Sequence, residues 1–184
     1  MRRSLLLAVA LVTFTTLILC CGSGRTVAPV DTIADSCNKI REFVDFDFCV
    51  SRLRAVPGSD SADEHGLLLI TIDLASVTGA MAWDAATRMA RAESDLATRN
   101  ALEACGYLYW TASMPALRMY RAYVVPDNSS DGYSLYGYSF VWLLQAGSWC
   151  DAALKGRDAA ASKMAALNHD FSQLILLVDA MSDL

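Results

Sequence analysis

Residues 101–116, ALEACGYLYWTASMPA, pair a helical apolar stripe with one cysteine aimed into it. Cys105, Leu108, Ala112, Ala116 and Met119 recur at steps of three and four, which places them on one face of a 3.6-residue helix. A second cysteine, Cys150, lies on another such segment, with Leu135, Tyr138, Trp142, Ala146, Trp149 and Ala153 as its stripe. Residues 126–132, PDNSSDG, read as the loop between the two. Counted from Ser129, Cys105 lies about 24 residues back and Cys150 about 21 forward, so on antiparallel helices rising ~1.5 Å per residue they reach the same level to within about one turn. That spacing allows a bridge.

Whether a bridge forms depends on the compartment. Arg2 and Arg3 precede an apolar stretch over 4–19, followed by the small residues Gly22, Ser23 and Gly24, the pattern of an export signal cleaved after Gly22 or Gly24. The apolar run is about 16 residues, short of the ~20 that span a bilayer, and no membrane association is expected after cleavage. Cys20 and Cys21 leave with the segment 1–24, and four cysteines remain: Cys37, Cys49, Cys105 and Cys150. In an oxidising compartment an even number implies disulfides, and four cysteines allow three connectivities. The level argument selects Cys37 with Cys49 and Cys105 with Cys150. No CxxC occurs and neither His65 nor His169 is near a cysteine, so zinc and redox readings fail.

The chain has 184 residues and a net charge of -5, and loss of Arg2 and Arg3 leaves 13 basic against 20 acidic residues. One domain, residues 25–184, is expected, and without a basic stripe nucleic acid is not a partner. Residues 31–44 and 48–56 read as short helices of a hairpin (31–56) around Cys37 and Cys49. Residues 57–63, PGSDSAD, are a loop whose Asp63 caps the next helix. The bundle then occupies 64–184. Over 64–92, Leu68, Ile72, Ala75, Gly79, Ala82, Ala86 and Met89 form one stripe. A second long helix runs 95–124, kinked near Thr111 because Pro115 removes a donor and crowds the carbonyl four residues back. The third runs 134–154. After a connection at 155–157, the fourth carries Met164, Leu167, Phe171, Leu174, Val178 and Met181. The expected fold is all-α, an antiparallel up-and-down four-helix bundle behind a helical hairpin, with two disulfides.

Chemistry is sparse in this pattern. There is no GxSxG, HExxH or Gly-rich phosphate loop, so no catalytic residue, cofactor or metal ligand is assigned. Asp127, Ser129, Asp131 and Gly132 imitate half of a calcium loop, but its twelfth position is Tyr138 where a bidentate Glu is required. Asn128-Ser129-Ser130 is an N-glycosylation acceptor in a secreted chain. Aromatic residues crowd the second and third helices. Tyr107 and Trp110 lie off the Cys105 face, and Tyr136 and Phe140 off the Trp142 face, which makes these four the candidate partner-binding residues.

The signal segment, CNKIREFVDFDFCVSRL, ALEACGYLYWTA, SWCDAAL and the terminal ALNHDFSQLILLVDAM together resemble the plant invertase and pectin methylesterase inhibitor family across 31–184. The resemblance implies a four-helix bundle with an N-terminal hairpin, the same two bridges, and a secreted, non-enzymatic inhibitor of a cell-wall carbohydrate enzyme acting through a one-to-one complex that blocks the enzyme's cleft. It places the protein in the apoplast and cell wall, or in the vacuole. Invertase inhibitors of this kind carry a Pro-Lys-Phe stretch between the second and third long helices, where this chain reads VVPDNSSDGYSLYGYSF. Its absence favours pectin methylesterase as the target over acid invertase. A bundle carrying a small ligand is the remaining alternative, and the bulk of the stripe residues argues against an internal cavity.

Overall fold

The computed structural model describes residues 31–124 and 133–184; the segment 1–24 read as an export signal, the loop that imitates half a calcium site and the Asn128 acceptor sequence lie outside them. The described residues are helical, with no strand among them. Helices α1 (Thr32–Lys39) and α2 (Phe46–Arg54) form the hairpin. Then come α3 (Glu64–Ala92), α4 (Leu96–Tyr107), a π-helical turn (Leu108–Ser113), α5 (Met114–Val124), α6 (Tyr133–Ala153) and α7 (Asp158–Ser182). Helix α3 packs on α4 and α7, and α6 packs on the same two, which closes a four-membered ring around one core.

Aspartates start four of these helices by accepting from an orphan backbone N–H of the first turn: Asp31 from Ala34, Asp45 from Phe48, Asp63 from Gly66 and Asp95 from Thr98. The Asp45 cap is why α2 begins at Phe46, two residues before the expected start. Helix α1 stops at Lys39 rather than at Val44, and the chain continues as turns with Ile40 and Val44 both buried. Gly156, at φ 75°, takes the left-handed conformation that lets α6 turn into α7. Cys37 and Cys49 are joined, with Cα atoms 5.8 Å apart, and Cys105 and Cys150 are joined at 4.7 Å. Ion pairs of Lys39 with Glu64 and of Arg52 with Asp170 hold the hairpin to the bundle.

By length and composition α3 could cross a membrane; here its stripe of Leu68, Ile72, Ala75, Gly79, Ala82 and Ala86 is buried against its neighbours. On α7, Met164, Phe171, Leu174, Val178 and Met181 are buried as expected.

Two stripes differ from the sequence reading. At Pro115 the helix widens: the Ser113 hydroxyl donates to Leu108 O at 3.0 Å and Met114 N–H to Tyr109 O, both five residues back. A π turn inserts one extra residue and rotates everything after it by about 100°. The buried line therefore runs Leu102, Cys105, Tyr109, Met114 and Leu117, while Met119, expected inside, is 53% exposed. On α6 the core line is Leu143, Ala146 and Cys150, continued by Leu154 just past its end, and Trp142, expected inside, is 51% exposed. Apolar residues occur on every side of α6, so periodicity does not choose a face; the Cys150 bridge does.

The closest approach is between α6 and α7 at Gly147, where an added Cβ would lie 2.3 Å from Ser172 Oγ and 2.8 Å from Asn168 O. The second of these is backbone and cannot turn aside. Gly147→Ala should therefore destabilise the bundle by roughly 1–3 kcal/mol. At Gly106 a Cβ would meet only Thr87 Oγ1 at 3.5 Å and Trp83 Cδ1 at 3.7 Å. Gly106→Ala should be neutral or should stabilise by up to about 1 kcal/mol through helix propensity. Thermal denaturation of the two variants checks the pair, and equal melting shifts would contradict it.

Candidate partner-binding surface

Trp83, Thr87 and Arg91 recur every four residues along one flank of α3, beside the buried stripe. Arg99, Glu103, Tyr107 and Trp110 form the facing edge of α4 and the π turn. Between these edges lies a surface groove of about 440 Å³ lined by both sets. The Trp83 and Trp110 rings stack across it with centroids 4.5 Å apart and planes at 25°. Arg118 of α5 holds its guanidinium 5.7 Å from the Trp110 ring. It reaches that position because the π turn's extra residue makes Arg118 equivalent to a position two turns beyond Trp110 on the same face. Ring stacking and the cation contact each contribute about 0.5–1.5 kcal/mol, enough to hold Trp110 in place though it is 44% exposed. Tyr107 is 64% exposed at the same edge.

Of the four aromatics singled out in the sequence, Tyr107 and Trp110 thus share one exposed surface. Tyr136 and Phe140 fall on the first turns of α6, and their side chains lie outside the described residues. The sequence reading does not find Trp83, because its meeting with Trp110 joins distant segments. A second aromatic surface lies on the outer flank of α6, where Trp142 and Trp149 meet edge-on at 5.1 Å beside the exposed Val141.

Elsewhere in the bundle the frame is locked by polar contacts. The Tyr109 hydroxyl donates to Asn168 Oδ1 at 2.7 Å, and Asn168 Nδ2–H donates to Asp151 Oδ1 at 2.5 Å, joining the π turn, α7 and α6. The Tyr109 ring meets Phe171 edge-on at 5.1 Å. Burial, and then the charge of Asp151, push the Tyr109 phenol above the ordinary tyrosine range. Asn168 stands four residues after Met164 and three before Phe171, so its place in the buried stripe was itself a signal of a polar core contact. Among the described residues no group of three or more His, Cys, Asp or Glu side chains could hold a metal ion. The arrangement is suited to contact with a partner.

No family model matches the chain. Among curated proteins, one from Platanus orientalis is 27% identical over 157 residues, covering 84% of this chain and 89% of its own length, and is named "Putative invertase inhibitor". A protein of the same name from Platanus acerifolia is 26% identical over 163 residues, covering 87% and 88%. With a disulfide-stapled hairpin ahead of a four-helix bundle, and this likeness over most of the chain, the protein is similar to the plant invertase and pectin methylesterase inhibitor family.

Proposed function

We propose that the protein is a secreted, non-enzymatic inhibitor that blocks the cleft of a cell-wall carbohydrate enzyme in a one-to-one complex, and that the enzyme is pectin methylesterase. The observation that carries this reading is the likeness, over most of both lengths, to two plant proteins named as inhibitors. Tyr107 and Trp110, held at the surface of a doubly bridged frame, supply the contact area, since aromatic anchors on a rigid support bind at little entropic cost. The absence of Pro-Lys-Phe from 124–140 supports pectin methylesterase. The second reading, acid invertase, is favoured by the names of the two relatives. The export-type segment at 1–24 and the two disulfides support an extracellular or vacuolar location.

The anchors are tested together. A Tyr107→Ala, Trp110→Ala variant should keep its helical circular dichroism and inhibit at least ~30-fold more weakly, the equivalent of about 2 kcal/mol. Unchanged inhibition by the folded variant would remove this surface from the inhibitory face and direct attention to Trp142 and Trp149.

A further inference from the structure

Helix α6 carries a second seam outside the core. Its inward line, Leu143, Ala146 and Cys150, advances by three and then four residues, and so does the line displaced from it by one residue, Trp142, Gln145, Trp149 and Ala152. A displacement of one residue is ~100° round the helix, so the second line cannot share the core with the first. All four of its side chains are exposed, Trp142 by 51% and Trp149 by 36%, with the exposed Val141 beside them. The two indoles meet edge-on at 5.1 Å, and the Ser148 hydroxyl donates to Gln145 O at 3.0 Å.

Charge and symmetry together narrow what covers this face. Of the 21 residues of α6 only Asp151 is charged, and its carboxylate lies on the α7 flank, where it accepts from Asn168 Nδ2–H. The other helices of the ring expose charges, among them Asp73 and Asp84 on α3, Glu103 on α4 and Lys163 on α7. A chain of net charge -5 repels its own copy, and does so least where the meeting surfaces carry no charge. The order Trp142, Gln145, Trp149 is large, polar, large in either direction. Antiparallel pairing with another α6, about a two-fold axis at Gln145, therefore sets Trp142 of each chain against Trp149 of the other. Steps of three and four are those of helices packed side by side, and a single polar position within such a seam fixes its register.

We propose that a second copy of this chain docks on the outer face of α6, antiparallel and two-fold symmetric, with Gln145 at the axis and the Trp142 and Trp149 indoles of both chains closing the contact. Helix α3 stands across the ring from α6, so the groove that holds Tyr107 and Trp110 stays uncovered. The proposal does not rest on the inhibitor reading, and its test uses no enzyme.

The test is sedimentation velocity of the purified, disulfide-bonded protein over a concentration series reaching about 100 μM. The unsubstituted chain should sediment as monomer and dimer in reversible equilibrium. Gln145→Glu and Gln145→Lys each set like charges at the axis and should weaken dimerisation at least ~10-fold with circular dichroism unchanged. Their equimolar mixture should recover the dimer, because opposite charges then meet. Trp142→Ala with Trp149→Ala should weaken it by a similar factor. A chain that stays monomeric at about 100 μM would overturn the proposal and leave the face to a different protein. A dimer insensitive to these substitutions, or a mixture that associates no more tightly than its components, would overturn it as well, the first by placing the contact on another face and the second by removing Gln145 from the axis.

Discussion

Cys105→Ala should lower the melting temperature by roughly 10 °C, more than Cys49→Ala. The bridge from Cys105 to Cys150 spans 45 residues and ties α4 to α6, whereas Cys37 to Cys49 spans 12 within the hairpin. In the chain-entropy account a longer closed loop removes more freedom from the unfolded state, giving about 4 kcal/mol for the first bridge and about 3 for the second. At this size each kcal/mol moves the midpoint by about 2–4 °C. Loss of the long bridge also frees a thiol at Cys150 in the centre of the core. Thermal unfolding of the two variants, followed by circular dichroism, decides the order. A larger loss from Cys49→Ala would contradict the assignment of the long bridge as the main staple.

Asn168→Ala should cost about 3 kcal/mol, a large effect for one polar side chain. The substitution takes the acceptor from the Tyr109 hydroxyl, which is then buried and unpaired, and leaves a void between α7 and the π turn. Tyr109→Phe with Asn168→Ala removes both partners and should be at least about 1 kcal/mol more stable than the sum of the single losses implies. Additive losses would show that the contact is not coupled. The raised Tyr109 pKa adds a pH dependence. The folded chain keeps a proton that the unfolded chain, with the ordinary value of 10.0, releases. Stability from this residue is therefore complete below pH 10 and declines as the pH rises above it. Tyr109→Phe should abolish that decline.

Helix α3 was readable from the sequence because a single narrow stripe and the Asp63 cap act together, and its bounds fall at Glu64 and Ala92 as the pattern implies. Helix α6 was readable as a helix but not in its orientation, since Trp142 and Leu143 are both apolar and only the bridge at Cys150 places Leu143 inside. Pro115 announced a distortion near Thr111. It did not announce that the distortion would be a one-residue insertion, which puts Met114 on the same buried face as Tyr109 and turns Met119 out. At the surface, Tyr107 and Trp110 were legible as residues off the core stripe. The groove was not, because the stacking of Trp83 on Trp110 and the gathering of Arg91 with Arg99 arise only when two helices pair.

The proposed occupation of an enzyme by this bundle is tested by titrating the purified, disulfide-bonded protein against plant pectin methylesterase and acid invertase in parallel. Pectin methylesterase activity should fall to a plateau at one bundle per enzyme while invertase is unaffected, and inhibition of invertase alone would transfer the target. Both enzymes remaining fully active in the presence of excess folded protein would show that the bundle does not act as an inhibitor of either.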